Sequence, residues 1–215
     1  GIALFKAVFL EIDSRIAVEL LAEDGQNIAK GQKIASLQGP TRSILVGERT
    51  AINFISHLSA IATKASMLVA VARESAEKLG TDPIIILDTR KTIPGLRHLQ
   101  KYAVKTGGAQ NHRIGLFDMV MLKDNHIDAA GGIAEAVTRV RQAWGDKYKI
   151  EVETRSLDEV RQALAMGVER IMLDNMDNAD IKKATALIDG RCEIEASGNM
   201  SRQRLAELAG SGITH

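Results

Sequence analysis

"YKIEVETRSLDEVRQALAMGVERIMLDN", residues 148–175, holds an apolar run, a helical stretch and a second apolar run. Ile150 and Val152 alternate with polar neighbours, the period of a strand. Ser156 stands where a helix N-cap is wanted, Asp158 and Glu159 follow in the first turn, and Gly167 closes the helix. "VERIMLDN" then begins the next strand. A strand, a crossover helix and a strand imply parallel pairing, because two parallel neighbours need a connection of this length.

The unit recurs along the chain. The runs "PIIILDT" (83–89), "LFDMVMLKD" (116–124) and "RCEIEASG" (191–198) alternate with "GLRHLQKYAVKTGG" (95–108), "AGGIAEAVTRVRQAW" (130–144) and "NADIKKATALI" (178–188). Five such strands with intervening helices predict an α/β fold with a parallel sheet. No Gly-x-Gly-x-x-Gly accompanies them, which favours a β/α barrel over a doubly wound sheet. Upstream, "ERTAINFISHLSAIATKASMLVAVARESAEKLG" (48–80) carries helical spacing and ends at Gly80. Residues 1–46 read as β-rich, with turn signals at Asp24-Gly25, Lys30-Gly31 and Gly39-Pro40. The division expected is a partial N-terminal sandwich domain over 1–46 and a barrel domain over 47–215. "EDGQNIAKGQKIASLQG" (23–39) resembles the hairpins of biotinyl and lipoyl carriers. No lysine stands at a hairpin tip, so the segment reads as sandwich rather than carrier.

Composition narrows the function. The chain is 45% apolar and 26% charged, ordinary for a globular protein. A net charge of +1 and only 3% aromatic residues leave neither a basic field nor stacking platforms, so no nucleic-acid partner is expected. No uninterrupted apolar run approaches the ~18 residues of a membrane span, and no signal peptide is visible. The single Cys192 excludes an internal disulfide and fits a reducing, cytoplasmic setting. No serine or cysteine sits beside a plausible base, no cluster has zinc spacing, and His57, His98 and Trp144 read as packing or surface residues.

The informative feature is the polar chemistry at the end of each apolar run. The strands end in Asp88, Thr89, Arg90 and Lys91, in Lys123, in Glu153, in Asp174, and in Ser197, Gly198 and Asn199. In a parallel fold these ends face one way and gather at one mouth. Arg90, Lys91, Lys123, the His112-Arg113 pair of a glycine-flanked loop, and Arg49 at the head of the long helix suit a polyanion. Glu151 and Glu153 point to one side of their strand. Buried carboxylates need a cation or a metal, so Glu153 and Asp174 are suited to hold sugar hydroxyls or Mg²⁺ between phosphates, or to form salt bridges with Lys123 or Arg113. The backbone N–H groups of Ser197, Gly198 and Asn199 can wrap a phosphate.

These residues carry a resemblance. "GERTAINFISHLSAIAT" (47–63), "DTRKTIPGLRHLQKYAVKTGGAQNHRIGLFDMVMLKDNH" (88–126), "EVET" (151–154), "IMLDN" (171–175) and "EASGN" (195–199) are similar, in order, to the quinolinate phosphoribosyltransferase family. Asp-Thr-Arg-Lys-Thr-x-Pro-Gly, and Asn-His-Arg with Lys-Asp-Asn-His ten residues on, are its specific motifs. The resemblance implies an N-terminal α/β sandwich beside an incomplete β/α barrel. It implies transfer of phosphoribose from 5-phosphoribosyl-1-pyrophosphate to quinolinate with loss of CO₂ and pyrophosphate, assisted by Mg²⁺. A phosphoribosyltransferase of the same fold acting on nicotinate or another small acid is the alternative. Carried over, Arg90, His112, Arg113 and Lys123 grip the quinolinate carboxylates. Thr89 and Lys91 line the site, Lys91 on the phosphoribosyl donor. Glu153 and Asp174 serve the ribose and the Mg²⁺-pyrophosphate region as catalytic and metal residues, and Ser197, Gly198 and Asn199 cradle the 5′-phosphate. Arg49 reaches the neighbouring site of a homodimer or higher oligomer. The family is longer at both ends. The barrel is therefore expected to lack its last strand and helices. Either the chain is cut after Gly212, or a stretch is left out and Thr214-His215 are its far side.

Overall fold

The computed structural model describes residues 1–215, which divide into two compact units. The first comprises Gly1–Met67 and Lys91–Asn111, the second Leu68–Arg90 and His112–His215.

The first unit opens with a helix, α1 (Ile2–Ile12), where a β-rich segment was expected. Ile2, Phe5 and Phe9 explain it: spaced three and four apart, they fall on one helical face and are buried, with the Phe rings edge to face at 5.1 Å. Only two short strands follow, β1 (Ala17–Leu20) and β2 (Ala35–Gln38), paired antiparallel. Phe5, Phe9, Ile16 and Ala51 form the core, with Val18, Leu37 and Ile55 against it. The long helix α2 (Thr41–Leu79) begins at Thr41, ahead of the expected Glu48. Gly47 lies inside it, because a Cβ there would come within 2.8 Å of Ile12 and 3.0 Å of Phe9. Helix α3 (Arg97–Thr106) completes the unit, and its Gln100 amide lies 2.8 Å from His57 Nε2.

Ala51, Leu58, Ala65 and Ala72 of α2 recur every seven residues and are all buried. The rest of the helix is largely exposed. By length and composition α2 is long and apolar enough to cross a membrane, with a mean hydropathy of 1.5 over 18 residues, of which 11% are buried in the chain. The Ser, Thr and Lys residues of α2 interrupt its apolar runs, so none of them approaches that length.

The second unit is built on a four-stranded parallel sheet in the order β3 (Val120–Leu122), β4 (Ile150–Thr154), β5 (Arg170–Asp174), β6 (Glu193–Ser197). Helices α4 (Asp124–Ala130), α5 (Ile133–Trp144), α6 (Leu157–Ala165), α7 (Asn178–Ile188) and α8 (Arg202–Leu208) follow or separate the strands. Ser156 caps α6 as expected, accepting from the Glu159 N–H at 3.2 Å; Asp177 accepts from Asp180 at 2.8 Å, and Ser201 from Arg204 at 3.1 Å.

The two faces of this sheet are chemically opposite. Val152, Ile171, Leu173 and Ile194 pack with Val137, Val160, Ile181 and Ile188 of the helices, all at most 2% exposed. Each such side chain contributes about 1.5–3 kcal/mol on burial. The register puts the alternate residues in rows on the other face: Glu151, Arg170 and Glu193; Glu153, Met172 and Glu195; Asp174 and Ser197. A face this charged is sustained by pairing among its own residues.

The run 83–89, expected as a strand of the sheet, has a single bridge residue, Leu87, and hydrogen-bonds to the chain end. The Ile85 N–H donates to the Thr214 carbonyl at 2.9 Å. Thr214 and His215 donate to the Ile194 carbonyl at 3.0 Å each, and Ala196 donates to the His215 carbonyl at 3.0 Å. Residues 213–215 thus lie beside β6, where the expectation had a missing strand.

Candidate functional site

Parallel register brings the ends of β3 to β6 to one edge of the second unit. Lys123 directly follows β3, and its ammonium pairs with the Glu153 carboxylate of β4. Asp174 ends β5 opposite Ser197, which ends β6. The salt bridge weighed for Glu153 is therefore present. The motif after Lys123 has a structural role as well: His126 Nδ1 accepts the Lys123 N–H at 3.1 Å and so starts α4, while Asp124 pairs with Arg155 at 2.5 Å.

His112 and Arg113 are both buried. Asp88, the first residue of the Asp-Thr-Arg-Lys motif, accepts the His112 backbone N–H at 2.9 Å, so the end of the 83–88 run fixes the Asn-His-Arg loop. Arg113 donates from Nη1 to the Met119 carbonyl at 3.1 Å. Burial first, and then the like charge of Arg90, disfavour its charged form and lower its pKa. Two cations held close enough to repel mark a place suited to an anion. The adjoining loop is shaped by Asp118, whose carboxylate accepts the N–H groups of Ile114 at 2.6 Å and Gly115 at 3.0 Å. Burial alone would raise the Asp118 pKa, but these bonds and Arg113 lower it.

Below the strand ends lies a cluster that sequence reasoning missed. His112 Nε2 is 3.0 Å from Glu151 Oε2 and 3.2 Å from Glu195 Oε2. Arg170 places Nη1 3.4 Å from Glu195 and 4.0 Å from Glu151, and Nη2 2.7 Å from Glu193. Both Glu151 oxygens are buried without an aligned hydrogen-bond donor. Burial raises the Glu151 pKa above the ordinary carboxylate value, a rise that His112 opposes. Burial would raise Glu195 too, but His112 and Arg170 outweigh it and lower its pKa. His112, Glu151 and Glu195 offer ligand atoms within 4.8 Å of one another, a spacing a metal ion can use. Arg170 already supplies positive charge there.

Two influences compete at the His112 ring. Burial disfavours its charged form, whereas Glu151 and Glu195 favour it and hold its pKa up at about 9. The Arg113 N–H, 2.7 Å from Nδ1, opposes protonation at that atom, since an imidazolium Nδ1 has no lone pair to offer. In the geometry, Nδ1 is the acceptor of that N–H and Nε2 is turned toward the two carboxylates.

The loops after β5 and β6 are joined. Arg204 of α8 donates to the Gly198 carbonyl at 2.8 Å and also to the Met176 carbonyl. Asn175, at φ 55°, donates to Asp174 Oδ2 at 2.9 Å. Gly198 adopts φ +95°, and a Cβ there would lie 2.0 Å from Asn175 Oδ1. Asn199 comes next at φ 49°. Ser197, Gly198 and Asn199 thus form a tight turn packed on the Asp174 loop. Glu153 and Asp174 stand on adjacent strands and carry hard oxygen donors of the kind Mg²⁺ takes.

Thr89 is exposed and Arg90 half-buried, both in the second unit; Arg49 on α2 and Lys91 belong to the first unit and are exposed. Of the residues missed, Glu195 had a signal that went unread: it alternates with Glu193 on a strand face, as Glu151 does with Glu153.

Comparison with known proteins adds the family. Residues 61–215 match the Quinolinate phosphoribosyl transferase, C-terminal domain, and residues 1–59 match its N-terminal domain. The chain is 42% identical to the Quinolinate phosphoribosyltransferase [decarboxylating] 2b, mitochondrial, of Nicotiana tabacum, with 100% of this chain and 64% of that protein covered. It is 41% identical to the Probable nicotinate-nucleotide pyrophosphorylase [carboxylating] of Bacillus subtilis (strain 168), covering 100% of this chain and 72% of that protein. Among solved structures, NadC from Streptococcus pyogenes superposes with a TM-score of 0.90 at 39% identity, covering 100% of this chain and 73% of that one. The chain spans slightly less than two thirds of the length of the plant relatives, 64% for the tobacco protein.

Proposed function

This chain belongs to the quinolinate phosphoribosyltransferase family, and from that premise we propose that it transfers phosphoribose from 5-phosphoribosyl-1-pyrophosphate to quinolinate, with release of pyrophosphate and CO₂. The observation that carries the reading is the strand-end edge of the second unit. There Lys123 pairs with the Glu153 carboxylate, Asp174 ends the neighbouring strand, and Arg113 lies under the charges of Arg90 and Glu151. A dicarboxylate and a polyphosphate need the cations, and a sugar that develops positive charge at its anomeric carbon needs the carboxylates.

In this reading Arg90, Arg113 and Lys123 hold the two quinolinate carboxylates, with His112 in the same pocket. Thr89 lines the site and Lys91 meets the donor. Glu153 and Asp174 face the ribose. Ser197, Gly198 and Asn199 hold the 5′-phosphate against their backbone N–H groups. The Lys123–Glu153 pair loosens as the substrate carboxylate replaces Glu153 as the partner of Lys123, which frees Glu153 to face the sugar. Glu153 and Asp174 would hold Mg²⁺, which would supply positive charge to the pyrophosphate leaving group. The ring nitrogen of quinolinate forms its bond to the anomeric carbon as the bond to pyrophosphate breaks. The resulting pyridinium draws in the electron pair of the C2–carboxylate bond, CO₂ leaves, and C2 takes a proton from solvent. The protein's part is orientation and charge.

Arg49, exposed on α2, is assigned to the neighbouring subunit's site in a homodimer. Leu45 and Val46, 61% and 64% exposed beside it, support a covered surface there. A cytoplasmic setting is part of the same proposal and rests on the lone Cys192. Calorimetric titration tests the substrate: quinolinate is expected to bind more tightly than nicotinate, which has one carboxylate fewer. Tighter nicotinate binding would transfer the reading to a non-decarboxylating relative.

A further inference from the structure

The guanidinium of Arg204 bonds backbone carbonyls rather than carboxylates. Arg204 stands in the first turn of α8, where the Ser201 cap accepts its N–H at 3.1 Å. Leu205 and Leu208, both buried, anchor that helix to the core of the second unit. From this fixed base Nη1 donates to the Gly198 carbonyl at 2.8 Å and Nη2 donates to the Met176 carbonyl. One side chain thus ties the turn after β6 to the loop after β5. An arginine fork makes two such bonds at once, which the point charge of a lysine does not reproduce.

The consequence lies in the peptide units. A peptide is planar and trans, so its carbonyl and its N–H point in opposite directions. Holding the Gly198 carbonyl therefore sets the direction of the Asn199 N–H. The preceding peptide is held in the same way: the Ser197 carbonyl accepts the Asn175 N–H at 2.9 Å, which sets the direction of the Gly198 N–H. Each of these two N–H groups is fixed from the far side of its own peptide. Asn199 at φ 49° is in a backbone region that residues other than glycine seldom adopt, so a contact that keeps the turn in place matters there.

We propose that Arg204 is a positioning residue for the phosphate end of the donor: its grip on the Gly198 and Met176 carbonyls shapes the turn of Ser197, Gly198 and Asn199 before the phosphate arrives. The inference rests on the reading of that turn as the seat of the 5′-phosphate. It adds a residue outside the turn and gives donor binding a requirement that quinolinate binding lacks. Backbone N–H groups already held in place meet an anion without the cost of ordering their loop.

Calorimetric titration of the full chain with ribose 5-phosphate, and separately with quinolinate, tests the role. Arg204→Ala is expected to lose about tenfold in ribose 5-phosphate affinity and to keep its affinity for quinolinate. Arg204→Lys is expected to fall between Arg204→Ala and the unaltered protein, and it carries the comparison should Arg204→Ala fail to fold. Equal losses for the two ligands would mean a general structural role and overturn the proposal. So would a ribose 5-phosphate affinity unaltered in either variant. Nitrogen-15 NMR of the labelled chain supplies a readout that needs no ligand. The Gly198 and Asn199 amide signals are expected to be single and sharp in the unaltered protein and broadened or split in the variants, with that of Val152 unchanged. Sharp, single Gly198 and Asn199 signals in the variants would overturn the proposal. Should the unaltered protein bind no ribose 5-phosphate, the reading of the turn as a phosphate seat falls, while the amide signals still decide whether Arg204 orders it.

Discussion

Replacing Arg170 by Met tests the charged face of the sheet. The guanidinium is 13% exposed and serves three carboxylates: Glu193 at 2.7 Å, Glu195 at 3.4 Å and Glu151 at 4.0 Å. At an effective dielectric constant of about 20, a unit pair at the Glu195 distance is worth about 5 kcal/mol before desolvation. Removing one partner from a buried set leaves a net loss of about 3–5 kcal/mol, because the other charges stay behind. Urea unfolding followed by far-ultraviolet circular dichroism reads it, since the helices α4 to α8 of the second unit contribute to the signal. The pH dependence has a definite sign. Burial pushes the pKa values of Glu193 and Glu195 up, but for Glu193 the hydrogen bond and charge of Arg170, and for Glu195 those of His112 and then Arg170, prevail and depress both. A depressed carboxylate stabilises the fold above its unfolded pKa and loses that contribution as pH falls through its folded value. The effect of Arg170→Met is therefore expected to be largest near pH 7 and to shrink below about pH 4, where glutamates protonate in either protein. A loss below about 1 kcal/mol at pH 7, the range of an exposed ion pair, would refute the reasoning, as would a loss that does not change with pH.

Other expectations rest on single contacts. Gly198→Ala places a Cβ at φ +95°, 2.0 Å from Asn175 Oδ1, and is expected to cost about 1–3 kcal/mol of stability in backbone strain, together with the Asn175–Asp174 bond; an unchanged urea midpoint would contradict it. Ser156→Ala removes the N-cap of α6 and is expected to lower stability by about 1 kcal/mol, with Ser156→Asp close to the original. Arg113→Ala is expected to weaken quinolinate binding by about 2–5 kcal/mol while far-ultraviolet circular dichroism stays unchanged; unaltered affinity would remove Arg113 from the site.

The second unit was legible because its signals are local. Ser156 and Gly167 bracket one helix, the alternation of Glu151 and Glu153 with Val152 marks one strand, and the polar residue after each run marks one edge. What escaped was set by distance in the chain. Arg170 opens β5 and reads as a surface cation until the register places it beside Glu151 and Glu193. The pairing of His112 with Glu195 joins residues far apart in the chain, and no periodicity reports it. The first unit was misread for a different reason. The turn signals at Asp24-Gly25 and Lys30-Gly31 suggested strands, yet they lie in the connection between β1 and β2, and the spacing of Ile2, Phe5 and Phe9 was the better guide. Gly47 shows how tertiary packing overrides propensity, since a residue that ordinarily weakens a helix is there demanded by the approach of α1.

One assay addresses substrate, donor and decarboxylation together: release of labelled CO₂ from quinolinate labelled in its 2-carboxylate, with and without 5-phosphoribosyl-1-pyrophosphate and Mg²⁺. The account predicts release that depends on the donor and is abolished by Arg113→Ala. Release without the donor, or transfer of phosphoribose to nicotinate in place of quinolinate, would contradict it.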